Sequence, residues 1–171
     1  MSAADARSRG LSFEDFSIGR VFESGGRTVT EADIAAFAGI SGDYNPLHVN
    51  EEFARNTPFR GRVAHGLLVQ SIASGLAWQT GIFDGTIAAL KEMVIRYRNP
   101  VQPGDTVRLE LQVSAKDPAP STRRGWVRFE ARVMNQRAES VVEGEWLTVM
   151  LRRAPSAGVG TDEGGPEAKR G

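Results

Sequence analysis

The chain has 171 residues, which suffices for one well-buried core but is short for two full domains. Its 21 basic side chains equal its 21 acidic ones, so no overall charge favours nucleic acid or an anionic membrane surface. The absence of cysteine excludes disulfides, thiolate metal sites and a cysteine nucleophile, and it suits a reducing cytoplasm. No stretch approaches the roughly 20 apolar residues that span a bilayer, so we expect a cytoplasmic protein without a membrane or nucleic acid partner.

The two ends of the chain offer little that could be buried in a core. The first residues are small and polar, and the sequence after Ala154 is dominated by glycine, proline and charged residues. We therefore expect a flexible N-terminal segment over 1–12, one folded domain over 13–153 and a disordered C-terminal tail over 154–171.

Two short helices are predicted in the first third of the chain. Thr30 precedes acidic residues and an apolar pattern of helical spacing, which indicates a helix that starts there and ends near Gly39. Asn50 is a second N-cap candidate and opens a helix that ends before Pro58. The segment 41–48 between the two helices is predicted as a loop.

A buried helix and a set of strands are predicted in the remainder. Residues 67–79 are apolar nearly all round, which is typical of a buried helix, and Gly66 marks its start. Strand-like segments are 20–29, 86–98, 107–114, 127–133 and 141–151. The segment 141–151 is apolar on both faces and is therefore predicted to be central. About five antiparallel strands, joined by turns such as 103–105, with one buried helix predict an α+β domain.

The loop motif SGDYNPLH, residues 41–48, carries Asp43 and one of only two histidines, His48. Asn45 and the following proline can fix this loop by local hydrogen bonding and a locked φ. A carboxylate and an imidazole flanking one water form a general base and a general acid, which can add water to an activated double bond or remove it. A hydrogen-bonded turn without chemistry fits these eight residues equally well.

The second histidine, His65, directly precedes Gly66 at the predicted start of the buried helix. The Gly66 amide could point at an oxyanion such as a thioester carbonyl, and the missing Cβ would let a substrate approach closely. Taken alone, the motif fits better with a glycine needed only for the turn and with His65 as a hydrogen-bonded core side chain.

Other chemistries have weaker support in the sequence. Asp43, His48 and His65 could form a metal-binding set, but their spacing matches no common metal motif, so we expect no metal. Ser71 and Ser74 lie within the apolar helix without a nucleophile elbow, and Ser74 is better interpreted as a hydrogen-bond partner that orients a carboxylate. Four arginines could bind the phosphates of a coenzyme or carrier, although each singly fits a solvated surface better: Arg96, Arg98, Arg123 and Arg124.

Three motifs together resemble one known family. Residues 37–48, FAGISGDYNPLH, followed by Ala54, are similar to the signature of the MaoC-like and (R)-specific enoyl-CoA hydratases. Residues 64–68, AHGLL, resemble the entrance of that family's central helix, and 98–105, RNPVQPGD, resemble a later strand and turn. The resemblance extends over about residues 13–152.

The resemblance implies a hot-dog fold, in which an antiparallel sheet wraps a long central helix, and it implies assembly as dimers. It places the catalytic pair at Asp43 and His48 and the oxyanion-binding amide at Gly66. Asn45 would order the loop and Ser74 would help to hold the catalytic carboxylate, while His65 would be mainly architectural. No metal and no redox cofactor are implied.

The implied activity is (R)-specific hydration of a 2-enoyl-CoA, or dehydration of a 3-hydroxyacyl thioester, by acid-base catalysis. The alternatives are a hot-dog acyl-CoA thioesterase and a non-catalytic subunit that binds acyl thioesters. Expected partners are an acyl-CoA or acyl-carrier-protein thioester as substrate and a second copy of the chain, in a homodimer or an assembly of dimers. The sequence does not determine the acyl chain length, the thiol carrier or the oligomeric state beyond a dimer.

Overall fold

The computed structural model describes residues 10–118 and 121–153. Its α-helices are α1 (Glu31–Ser41), α2 (Pro46–Val49), α3 (Glu51–Arg55) and α4 (Gly66–Gln79). Its strands are β1 (Val21–Glu23), β2 (Arg27–Thr28), β3 (Ile87–Tyr97), β4 (Thr106–Pro118), β5 (Arg124–Met134) and β6 (Ser140–Leu151).

The strands form one antiparallel sheet in the order β1-β4-β5-β6-β3, and β2 pairs with β4 next to β1. The described residues contain six strands because the predicted strand 20–29 is interrupted at Ser24, whose backbone and hydroxyl bond to Leu109. The turn 103–105 joins β3 to β4, which are not neighbours, so its prediction as a link between paired strands is wrong. Turn chemistry is local, whereas strand pairing depends on the whole sheet. The predicted internal position of β6, between β5 and β3, is confirmed.

The core lies between α4 and one face of the sheet. Inward side chains on β4 and β5 recur at every second residue, as the alternation predicts: Val107, Leu109, Leu111, Val113, Val127, Phe129, Ala131 and Val133. Phe129 is fully buried and contacts the rings of Phe16 and Phe83 edge to face, with centroid distances of 5.6 and 5.8 Å. An antiparallel sheet that packs around one long helix is the hot-dog fold, and the predicted α+β class is confirmed.

The segment that links α1 to α4 differs from its prediction in two ways. Helix α1 extends past Gly39 to Ser41 and is closed by Gly42, whose φ of 75° is the left-handed conformation that glycine adopts without strain. Residues 46–49 form the short helix α2 rather than a loop, because Asn45 caps it and Pro46 occupies its first turn. His48 therefore lies on a helix.

The packed region begins by Gly10, earlier than the expected boundary at residue 13. Gly10 and Leu11 donate backbone hydrogen bonds to the carbonyls of Asp84 and Ile82, at 2.7 and 2.8 Å. The remainder of the expected N-terminal segment, 1–9, and the expected tail, 154–171, lie outside the described residues. Within the described ranges, no helix has both the length and the apolar content needed to cross a membrane.

Asp105, the last residue of the turn 103–105, is buried. Burial alone would raise the pKa of Asp105, but hydrogen bonds from the Gln102 N–H and the Gln136 amide, together with the Arg137 charge, lower it overall. The carboxylate therefore stabilises the fold above the unfolded pKa of about 3.9, and this contribution is lost as the pH falls through the lower folded pKa.

We expect Asp105→Asn to lower the free energy of unfolding by about 1–3 kcal/mol at pH 7, because donors that face the carboxylate lose a charged acceptor. The difference from the unsubstituted protein is expected to shrink below about pH 4 in urea unfolding curves. The exposed Asp117→Asn is the control and should change stability by less than about 0.5 kcal/mol. A gap that widens on acidification would contradict the assignment.

Candidate active site

The loop between α1 and α2 is held by two successive side-chain caps. The Asp43 carboxylate accepts a hydrogen bond from the Asn45 N–H at 3.2 Å, and the Asn45 side-chain oxygen accepts one from the Leu47 N–H at 3.0 Å. Such local bonds favour the turn because each satisfies a backbone donor that the helix start would otherwise leave free. Asp43 is thereby fixed in position while its side chain stays exposed.

His48 lies near the end of α2 with its imidazole directed toward the strand-like segment before α4. Its Nδ1 lies 2.7 Å from the Val63 carbonyl oxygen. Since a carbonyl oxygen can only accept, Nδ1 carries the proton in the neutral ring. Nε2 is consequently the nitrogen with a free lone pair, which is the form that a general base requires.

His65 is 2% exposed and caps the N-terminus of α4. Its Nε2 lies 2.9 Å from the backbone carbonyl oxygen of Asp43, so Nε2 carries the proton. Its ring stacks on His48 with centroids 3.7 Å apart and contacts Phe37 on another side at 5.1 Å. His65 therefore connects the Asp43 loop, α2 and the start of α4.

The three polar groups converge in one place. Asp43, His48 and His65 each contribute one carboxylate oxygen or ring nitrogen to a group of three atoms that lie within 4.8 Å of one another. The exposure of the residues decreases from Asp43 to His65. The exposed carboxylate and an imidazole nitrogen of His48 are close enough to flank a single water molecule. The Nε2–H of His65 donates to the Asp43 backbone carbonyl. The other ring nitrogen of His65, Nδ1, is buried and has no hydrogen-bond partner among the described residues.

The same cluster has donor types that bind transition metals, so its geometry bears on the metal alternative. The two imidazole rings stack at an interplanar angle of 30°, which places their nitrogen lone pairs in nearly parallel planes. A tetrahedral ion needs donors that point at one centre about 2.0–2.1 Å away. An ion at this cluster would have to use the other nitrogen of each ring, since Nδ1 of His48 and Nε2 of His65 bond to backbone carbonyls.

Gly66 is the first residue of α4, so its backbone N–H is among those that the helix leaves unpaired. It borders a cavity of about 370 Å³ whose lining is mainly apolar and includes Tyr97, Arg98 and Asn99. Val63, whose carbonyl holds His48, lines the same cavity. The helix terminus therefore opens on a space that a ligand can enter, and Val63, the residue that bonds to His48, lies on the wall of that space.

Ser74 lies apart from this cluster within one chain. It is eight residues beyond Gly66 on α4, which is about 12 Å along the helix axis. It lines a separate cavity of about 130 Å³ together with Trp78, Trp146 and Thr148. No hydrogen bond joins Ser74 to Asp43 in the part of the chain that the structure describes, so one chain alone does not provide the expected support.

Of the four candidate phosphate-binding arginines, only Arg98 lines the Gly66 cavity, and its guanidinium bonds to Glu143 at 2.8 Å. Arg96 lies in a charged groove on the sheet, and Arg124 begins β5 at the hairpin with β4. These placements leave Arg98 as the arginine best located to contact a ligand at Gly66.

Sequence reasoning missed two contributors to the site. Arg62 bonds to Glu31 at 2.7 Å and to Glu51 at 3.0 Å, so it joins α1 and α3 to the segment that leads into α4. The hydrogen bond from Arg62 lowers the pKa of Glu51. The second contributor is Tyr97, whose ring lies against Gly66. Neither contact has a sequence signal, since each joins positions that are distant along the chain.

The chain is similar to proteins of one family over most of its length. Residues 15–133 match the model of the MaoC like domain. The 3-hydroxybutyryl-CoA dehydratase of Methylorubrum extorquens is 31% identical over 160 residues, which cover 94% of this chain and 97% of that protein. The (R)-specific enoyl-CoA hydratase of Rhodospirillum rubrum is 34% identical over 139 residues, covering 81% of this chain and 90% of that relative.

Solved structures show the same likeness. The crystal structure of the MaoC-like dehydratase from Rhodospirillum rubrum matches with a TM-score of 0.77 at 32% identity, covering 85% of this chain and all of that one (100%). The family resemblance drawn from the three sequence motifs is thereby confirmed.

The two histidines provide a direct test of the site geometry. Because each neutral ring donates to a carbonyl, we expect opposite tautomers: Nδ1–H for His48 and Nε2–H for His65. Long-range ¹H–¹⁵N spectra of histidine-labelled protein above pH 8 distinguish the two tautomers, and His48→Gln assigns the signals because the chain has only two histidines. Identical tautomers for both rings would contradict this arrangement.

Proposed function

The chain belongs to the MaoC-like family of hydratases and dehydratases, and we propose that it hydrates a 2-enoyl-CoA thioester with (R) stereochemistry and dehydrates the 3-hydroxyacyl thioester in reverse. The observation that carries this proposal is the convergence of Asp43, His48 and His65 at the N-terminus of α4, whose first residue, Gly66, lines a mainly apolar cavity. The same class of reaction appears in the names of the relatives from Methylorubrum extorquens and Rhodospirillum rubrum.

The proposed step uses both polar groups on one water. The water oxygen forms a bond to the β-carbon as the Asp43 carboxylate and His48 Nε2 accept hydrogen bonds from the water, and one of them takes its proton. The electron pair of the double bond moves toward the thioester carbonyl, where the Gly66 N–H stabilises the developing negative charge. The proton is then returned to the α-carbon, so that one water is added and no metal or redox cofactor takes part.

The local hydrogen bonds give each group its role in this step. Val63 holds the proton on Nδ1 of His48, which keeps Nε2 available to accept one. The α4 dipole adds to the attraction between the Gly66 amide and an oxyanion. Asn45 and His65 position the other groups and do not transfer protons. Asn45 accepts from the Leu47 N–H at the start of α2, and His65 donates to the Asp43 carbonyl.

A second copy of the chain would complete this site. The outward face of α4 carries large apolar side chains, with Leu67 61% and Trp78 55% exposed, and the edge strand β3 exposes Leu90 and Val94. Edge strands and apolar faces of this kind are normally covered. A two-fold axis near the exposed Ser71 would set two α4 helices antiparallel, with Ser74 of the partner subunit level with the first turn of α4. In that arrangement Ser74 of the partner subunit would approach the cluster of Asp43, His48 and His65. Ser74 of the same chain lies too far along α4 to do so.

Activity is tested with crotonyl-CoA as substrate. We expect Asp43→Asn and His48→Gln each to lower kcat/KM by about 10²- to 10⁴-fold, because each removes one of the two groups that move protons. Asp117→Asn is the matched control and should keep full activity, and treatment with a chelator should have no effect. Full activity in either site variant would contradict the assignment. Release of free thiol without a hydration product would identify a thioesterase. Binding of the thioester without turnover would identify a non-catalytic subunit.

Assembly is tested by sedimentation of the full chain. We expect the mass of two or more copies, and we expect Trp78→Glu to shift it toward one copy with loss of hydratase activity, because a charge then faces the apolar surface. Ile18→Glu is the matched control, since Ile18 is 69% exposed but lies outside α4 and β3. A fully active single-copy protein would contradict the proposed completion of the site.

A further inference from the structure

Tyr97, the last residue of β3, lies directly against Gly66. A Cβ built on Gly66 would lie 2.6 Å from Cε1 and 2.7 Å from Cζ of the Tyr97 ring. Such distances are shorter than van der Waals contact, so the ring occupies the volume that any other residue at position 66 would need. The Tyr97 ring therefore favours glycine at position 66, which is a reason within the chain in addition to the approach of a substrate.

The ring leaves the amide of Gly66 available. In an α-helix the Cα–Cβ bond points outward from the axis with a tilt toward the N-terminus, whereas the first N–H groups point along the axis itself. The Tyr97 ring therefore forms a side wall next to the N–H rather than a cover over it. Both residues line the same cavity, whose lining also includes Val63, the residue that bonds to His48.

The remaining surface of Tyr97 faces that cavity rather than the core. Tyr97 is 52% exposed, and its hydroxyl has no hydrogen-bond partner among residues 10–118 and 121–153. Burial raises the pKa of the Tyr97 phenol, which keeps the ring neutral at ordinary pH. A flat, neutral and partly apolar ring beside an unpaired amide matches the shape of a planar thioester group, which has one oxygen acceptor and an apolar sulfur.

We propose that Tyr97 is a positioning residue whose ring holds the thioester plane of the substrate so that its carbonyl oxygen meets the Gly66 N–H. This inference rests on the proposed function and adds a residue to it. The wall acts through contact with the ring and not through proton transfer. Its loss leaves the amide in place but lets the thioester tilt away from it, and small misplacements of that kind slow a reaction substantially.

The experiment compares four variants in the full chain with crotonyl-CoA for turnover and the unreactive butyryl-CoA for binding. Tyr97→Phe retains the ring and is expected to keep kcat within about two-fold of the unsubstituted protein. Tyr97→Ala removes the wall and is expected to lower kcat by about 10-fold or more, with an unchanged melting temperature and sedimentation mass. The Phe variant is the matched control, since it separates the ring from the hydroxyl.

The other two variants separate packing from catalysis. Gly66→Ala is expected to lower the melting temperature because its Cβ meets the Tyr97 ring. The double variant Gly66→Ala/Tyr97→Ala is expected to regain the melting temperature, since the clash is gone, but not the activity, since the wall is also gone. A purely structural role for Tyr97 predicts the opposite result, in which the double variant regains both.

The outcomes separate this inference from the assignment of the reaction. Absence of crotonyl-CoA hydration by the unsubstituted protein overturns the proposed function, and butyryl-CoA binding then tests the wall by itself. The inference is overturned if Tyr97→Ala equals the unsubstituted protein in both kcat and affinity for butyryl-CoA. It is also overturned if Tyr97→Phe loses as much activity as Tyr97→Ala, because the hydroxyl would then be the active part.

Discussion

The hydrogen bond from His65 Nε2–H to the Asp43 carbonyl joins the two halves of the site. It crosses 22 positions of the sequence and spans 2.9 Å, from the loop after α1 to the residue that caps α4. A buried imidazole is costly to desolvate unless its N–H is paired. The bond to the Asp43 carbonyl provides that partner and thereby stabilises the buried His65 ring. The positions of the Asp43 carboxylate, the His48 ring and the Gly66 amide relative to one another all depend on it.

The surrounding contacts make that connection rigid in more than one direction. His48 stacks on His65 and bonds to Val63, so α2 is held against the segment 63–65 that leads into α4. The Arg62 guanidinium adds bonds to Glu31 and Glu51 on the outer side. Single exposed ion pairs contribute little, but one arginine shared by two carboxylates fixes the relation of two helices to the loop. The polar groups at the start of α4 are thereby held in place before any ligand arrives, which is the preorganisation that electrostatic catalysis requires.

The packing of α4 leaves its first turn open to a ligand. One side of the helix is buried against the sheet through residues such as Val69, Ile72 and Leu76. Its start is left open beside Tyr97 and the cavity, while its outward face carries exposed apolar side chains. A helix whose body is fixed by the core and whose terminus is free can offer an amide to a ligand without losing its own hydrogen bonds.

The sequence by itself determined the family, the fold class, the extent of α4, the long strands and the residues that cluster at the site. These follow from local information, since periodicity, capping residues and short motifs act over a few neighbouring positions. The sequence pattern placed the end of α1 too early. It also indicated a loop at 46–49, although capping by Asn45 makes these residues a short helix.

Only the tertiary structure decided which strands are neighbours, which nitrogen of each histidine is free, and that Tyr97 fills the space beside Gly66. It also placed Ser74 beside a different cavity from Gly66, about two helical turns further along α4. Each of these depends on contacts between positions far apart along the chain. Such contacts are selected by the packing of the whole core and leave no pattern in the local sequence.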